Sequence, residues 1–187
     1  MFASQADWLD LHPHPSGQGG GMRRVAAAAR VGAEGALTLT YRLEWEAGFL
    51  RLPVMPGGGR HNNLWHHTCL EAFLQAAGQA SYHELNFSPA GAWAAYRFSG
   101  FREGMQDLPL SLPPVQRIDQ GPEHLYMECQ LPPEALPGEA LRISLTAILE
   151  DRDGGLHFWA LHHPAPRPEF HDRRGFVLEL PEPAGRP

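Results

Sequence analysis

The chain has 187 residues with 15 Arg, no Lys, 21 acidic groups and 11 His, a formal charge of −6 with the histidines neutral. Domains of roughly 100–200 residues are common, so one domain over 1–187 is the default, and an apolar content of 43% excludes disorder of the whole chain. The Lys-free acidic balance lacks the basic footprint that nucleic-acid backbones and anionic membranes require, which removes both as partners.

Nothing in Met1–Trp8 pairs a basic group with an apolar run, and no stretch approaches the roughly 18 apolar residues of a spanning helix. A cytoplasmic protein is therefore expected. Pro13, Pro15 and Gly17–Gly21 read as a flexible stretch, and the core is expected over about 22–180. Met22–Ala29, with four consecutive alanines, fits a helix or a strand. Leu37–Trp45 alternates Leu, Tyr and Trp with Thr, Arg and Glu, the period-two mark of a half-buried strand. Gly57–Arg60 lacks the Lys and Ser/Thr of a phosphate-binding loop and reads as a flexible turn.

His67–Ala76, Tyr82–Ser88 and Ala92–Phe98 are three further strands, separated by Gly78–Ala80 and Pro89–Gly91. Leu125–Leu131 and Leu141–Leu149 alternate again, and Asp153-Gly154 marks a hairpin turn into Leu156–Leu161. Phe176–Leu180 closes the set, and 181–187 reads as a disordered tail. The two cysteines, Cys69 and Cys129, lie in alternating apolar segments without C-x-x-C spacing and read as buried thiols. Nine or ten short strands between turn signals predict an all-β antiparallel sandwich.

On the middle strands Glu71, Glu84 and Arg97 could face one another, since sequential strands are usually neighbours. Carboxylates, an Arg fork and indoles suit sugar hydroxyls and the apolar face of a sugar ring. The same pattern suits an Arg–Glu pair that staples the sheet. His67, His162, His163 and His171 are candidate ligands for a divalent metal or haem, but adjacent histidines on a strand point to opposite faces, so no metal site is favoured. Glu71 and Glu84 could also serve as the two carboxyls of a glycoside hydrolase. Neither H-E-x-x-H nor G-x-S-x-G occurs.

Three segments carry a resemblance: Leu64–Phe73 (LWHHTCLEAF), Tyr82–Phe98 (YHELNFSPAGAWAAYRF), and Trp159–Pro164 with Pro168–His171. Together, over about Val31 to Leu180, the chain resembles the bacterial DOMON-like proteins, relatives of family 9 carbohydrate-binding modules. The resemblance implies a β-sandwich with a ligand pocket on the concave face of one sheet, sugar or haem as ligand, and no catalysis. In family 9 modules two indoles clamp a terminal sugar, while an acid, an Arg and amides take its hydroxyls. Carried onto this chain, the clamp would be Trp65 and Trp159, the acid Glu71 and the guanidinium Arg97, with Asn86 and Glu84 in support. The expected function is a stand-alone module for a carbohydrate or similar hydroxyl-rich small molecule, without a cofactor.

Overall fold

The computed structural model describes residues 7–17, 20–32, 35–54 and 58–180. The strands in chain order are β1 Leu9–Asp10, β2 His12–Pro13, β3 Met22–Val31, β4 Leu37–Trp45, β5 Gly59–Arg60, β6 Cys69–Ala76 and β7 Tyr82–Phe87. They continue as β8 Ala92–Phe98, β9 Gln106–Asp107, β10 Val115–Gln120, β11 His124–Leu131, β12 Leu141–Glu150, β13 Leu156–Ala160 and β14 Leu178–Leu180. They form two sheets. The smaller runs β1-β3-β4-β11-β10; the larger runs β2-β13-β12-β6-β7-β8-β5, with β14 on β12 and β9 on β8. Among the described residues all pairings are antiparallel except β5 with β8. This is the expected all-β sandwich.

The core lies between the sheets and follows from alternation. On β4, Leu37, Leu39, Tyr41, Leu43 and Trp45 are buried, and they pack with Leu125, Met127, Cys129 and Leu131 of β11 and with Leu70, Ala72 and Leu74 of β6. Each large side chain buried there contributes about 1.5–3 kcal/mol. Both cysteines are free and buried.

The alanine run is a strand. β3 is flanked by β1 and β4, and its register sets Ala27 opposite Tyr41 and Val25 opposite Leu43. Alanine favours helix in isolation, but here small residues meet large cross-strand partners in a layer already paired on both sides.

The sheets contain more strands than nine or ten: β1, β2, β5 and β9 are two residues long, and β10 is an edge strand with few apolar residues. Gly59 and Arg60 pair with β8 rather than forming a free turn; Gly57 lies outside the described residues. Pro13 likewise belongs to β2, paired with Trp159, while Gln18, Gly19 and 181–187 lie outside the description. In the last segment only Leu178–Leu180 is strand. A 3₁₀ turn at Arg173–Gly175 precedes it and drops Phe176, fully buried, onto the larger sheet.

The β12–β13 turn is built as its sequence suggests. Gly154 adopts φ +85, and Asp151 Oδ1 accepts the N–H groups of Asp153 (2.9 Å) and Gly155 (2.8 Å). Among the described residues no helix is long and apolar enough to cross a membrane.

The outer face of the larger sheet, turned away from the smaller one, is also buried. A second apolar cluster there joins Cys69 and Phe73 of β6, Tyr82 of β7, Ala92, Ala94, Tyr96 and Phe98 of β8, and Leu64 and Phe176 from loops, with Trp65 and Phe170 against it. That second layer, roofed by loops rather than by a sheet, contains the cavity described next.

Candidate functional site

Cross-strand register places the polar groups. Thr146, Glu71, Asn86 and Ala94 form one row across β12, β6, β7 and β8, and Ser144, Phe73, Glu84 and Tyr96 form the next. Glu71 and Glu84 are thus diagonal neighbours on the outer face, within reach of each other's side chains. They line one cavity of about 450 Å³ together with Phe73, Phe98, Ile148, Leu156 and Phe158 from the strands. Trp65 and His66 enter from the turn before β6, Arg102 and Met105 from the turn after β8, and Pro168, Phe170 and His171 from the loop before β14.

The two carboxyls are 2% and 4% exposed. Thr146 Oγ1 donates to Glu71 Oε2 (3.3 Å), and Asn86 Nδ2 donates to Glu84 Oε1 (2.7 Å). Burial, reinforced by the nearby Glu84 charge, pushes Glu71 well above the usual carboxyl range. Burial likewise pushes Glu84 up to about 7, against the opposing pull of the Asn86 hydrogen bond and Arg102. Desolvation disfavours the charged form, and two neighbouring carboxylates disfavour each other.

His171 faces this pair as a neutral imidazole. Burial and the Arg102 charge lower its pKa to about 4. Its Nδ1 lies 2.7 Å from the Tyr82 hydroxyl, which also accepts the Arg102 backbone N–H at 3.3 Å. The other ring nitrogen, Nε2, lies 3.8 Å from Glu84 Oε2. That distance is too long for a hydrogen bond.

Arg102 reaches the site through a left-handed backbone, φ +54, unusual for a side-chain-bearing residue. Its guanidinium grips Glu169 in two-pronged fashion, Nε to Oε2 at 3.0 Å and Nη2 to Oε1 at 3.0 Å, and Glu169 Oε1 also accepts the His171 N–H at 3.1 Å. This chain of contacts ties the turn after β8 to the loop before β14. On the other rim, Tyr96 donates to Asn62 Oδ1 (2.8 Å) and meets the half-buried Trp65 edge-on at 6.1 Å.

Of the residues singled out from sequence, Trp65, Glu71 and Glu84 line the cavity, and Asn86 lies fully buried beside them, holding Glu84. Arg97 and Trp159 do not. In the β7–β8 hairpin, Glu84 faces Tyr96 and Arg97 pairs with His83, so Arg97 belongs to the opposite face; it is exposed and donates to Gln106 Oε1 (2.6 and 3.1 Å). Trp159 pairs with Ala147 and points into the core between the sheets, which puts its neighbour Phe158, opposite Ile148, on the cavity side.

The four candidate metal histidines are dispersed. His67 is exposed, with Nδ1 2.7 Å from Glu150; His162 is exposed; His163 donates to the His12 carbonyl (2.9 Å); His171 alone of the four lines the cavity. Among the described residues no group of three or more His, Cys, Asp and Glu side chains is placed to hold a metal ion. Phe158, Phe170, Arg102 and Met105 were not anticipated as site residues. Strand parity could have found Phe158; the others come from loops whose path has no periodic signal.

No known protein family matches the sequence, and no curated protein is similar to it in sequence. Solved structures are similar in fold. A candidate carbohydrate-binding protein from Bacteroides uniformis superposes with a TM-score of 0.65 at 14% identity, covering 92% of this chain and 84% of that one. A family 9 carbohydrate-binding module from Caldicellulosiruptor kristjanssonii, in complex with cellotriose, gives 0.51 at 10% identity over 83% of this chain and 72% of that one. A glucose complex of a family 9 module from the same organism gives 0.50 at 9% identity over 83% and 74%. At these identities the likeness is one of fold, which is that of family 9 carbohydrate-binding modules.

Proposed function

We propose that the chain is a non-catalytic carbohydrate-binding module whose ligand, a sugar or similar hydroxyl-rich small molecule, occupies the cavity on the outer face of the larger sheet. One observation carries this reading: buried hydrogen-bonding groups and aromatic side chains converge on a cavity of about 450 Å³, within the range of small-molecule sites. Trp65, Phe158 and Phe170 offer apolar faces for a sugar ring, while Glu71, Glu84 and Arg102 can take hydroxyls. The same fold in sugar-bound family 9 modules supports the ligand class.

A glycoside hydrolase built on Glu71 and Glu84 would need one carboxyl ionised and one protonated. Burial raises both, Glu84 to about 7 and Glu71 well above the usual range; the fold shared with sugar-bound binding modules, not the titration of the pair, favours binding over hydrolysis.

Titration with glucose and cellotriose while following Trp fluorescence tests the proposal. A saturable change that Trp65→Ala abolishes is expected. A flat response to these sugars and to a broad glycan panel overturns it.

A further inference from the structure

We infer that the cavity prefers a sugar bearing a protonated amine over its neutral counterpart. This rests on the carbohydrate reading above and names the ligand class more narrowly.

The argument is an imbalance of hydrogen-bonding groups. Glu71 and Glu84 project from adjacent strands into one space. Glu84 Oε2 has no hydrogen bond among the described residues, its neighbour His171 Nε2 standing 3.8 Å away. Behind it, Asn86 Oδ1 is buried without a partner among the described residues. Against the carboxyl oxygens the protein sets one hydroxyl, one amide, the Cys69 thiol and the imidazole 3.8 Å away, and in the empty cavity the carboxyls make up the shortfall by holding their own protons. Arg102, the cation in the lining, is engaged by Glu169.

An ammonium group can take the place of those protons: it brings three donors, one positive charge and no acceptor. A hydroxyl brings acceptor capacity with its donor, so it leaves the acceptor surplus nearly unchanged. The aromatic walls add to the preference, because ring faces attract cations and stack on sugar C–H faces. The other titratable groups around the carboxyls are Tyr41, His66, Cys69, Tyr82, Tyr96, Arg102, Glu169 and His171. His171 is kept neutral, and Glu169 only partly offsets the Arg102 charge, which still reaches both carboxyls and favours their ionised form.

The proton balance gives a signature. At about pH 6 burial keeps the carboxyl pair largely protonated in the empty cavity. When the ammonium docks, a carboxyl O–H breaks, its proton leaves to solvent, and the carboxylate pairs with the ammonium, which keeps its own protons. Binding therefore releases about one proton per ligand.

Calorimetric titration of the whole chain at about pH 6 with glucosamine, glucose and cyclohexylammonium, in two buffers of different ionisation enthalpy, tests this. Glucosamine is expected to bind roughly tenfold more tightly than glucose, with proton release. Glu84→Gln, nearly isosteric, should reduce that preference to about twofold or less, and the wild-type comparison stands without it. Equal affinity for glucosamine and glucose, or glucosamine binding without proton release, overturns the inference and leaves the carbohydrate reading intact. Cyclohexylammonium binding as tightly as glucosamine overturns the amino-sugar assignment, and failure of both sugars to bind removes the carbohydrate reading as well.

Discussion

Arg102 and Glu169 join two loops across the mouth of the cavity through a two-pronged ion pair, 3.0 Å at each prong. The Arg102 side chain is 55% exposed, so the pair adds little to global stability, at most about 1 kcal/mol. Its effect is local: it fixes where the loop carrying Phe170 and His171 sits over the sheet. Arg102→Ala should shift the unfolding midpoint only slightly while speeding hydrogen exchange in residues 168–172 and weakening sugar binding. Unchanged exchange in that loop would contradict the role.

The backbone at the same position supplies a second prediction. With φ +54, Arg102 is held in a conformation that glycine adopts without penalty. Arg102→Gly should therefore be more stable than Arg102→Ala by about 1 kcal/mol in urea denaturation, although both lose the guanidinium.

Stability should respond to pH through opposing contributions. Glu84, raised from 4.5 to about 7, and Glu71, raised well above 4.5, bind more protons folded than unfolded, so their stabilisation is present at low pH and is lost as pH rises above 4.5. His171, lowered from 6.5 to about 4, works the other way: its contribution is present above 6.5 and is lost as pH falls toward 4. His171→Gln should steepen the fall in stability between pH 4.5 and 6.5. The double variant Glu71→Gln/Glu84→Gln should reverse the slope, leaving a rise on the order of 3 kcal/mol. Denaturant midpoints measured across that window check both signs.

Phe158 and Trp159 are sequence neighbours on opposite faces of β13 and should separate binding from stability. Trp159, 7% exposed in the inter-sheet core, should cost about 3–5 kcal/mol when replaced by Ala. Phe158→Ala, on the cavity wall, should cost less stability and more affinity. Equal effects on both readouts would place the two rings in one environment.

Arg97→Ala should be close to neutral, within about 0.5 kcal/mol, and should leave sugar affinity unchanged, because among the described residues the guanidinium bonds Gln106 alone, on the exposed side. Its contrast with Arg102 marks the limit of reading a site from alternation. Leu37–Trp45 and Ala92–Phe98 were legible to the residue because one buried face imposes period two. Alternation on a single strand, however, does not say which face meets which on the next strand. In the β7–β8 hairpin even-numbered residues face even-numbered residues, so Glu84 meets Tyr96 and Arg97 turns away. The same ambiguity made Trp159 look like a clamp when Phe158 occupies the wall. Arg102 and Phe170 were beyond pattern altogether, since their positions depend on a left-handed turn and on a loop held by an ion pair, a hydrogen bond and ring contacts.

Tyr41 reaches from the smaller sheet across the core and donates its hydroxyl to the Glu71 carbonyl at 2.6 Å. The strand that presents Glu71 is thus anchored from behind by the most deeply buried layer of the molecule. The floor of the cavity cannot yield without disturbing the whole sandwich, whereas its roof is made of loops held by side-chain contacts rather than by a ladder of backbone hydrogen bonds. Such a division lets substitutions in the roof change what the cavity recognises while the acidic floor stays in place.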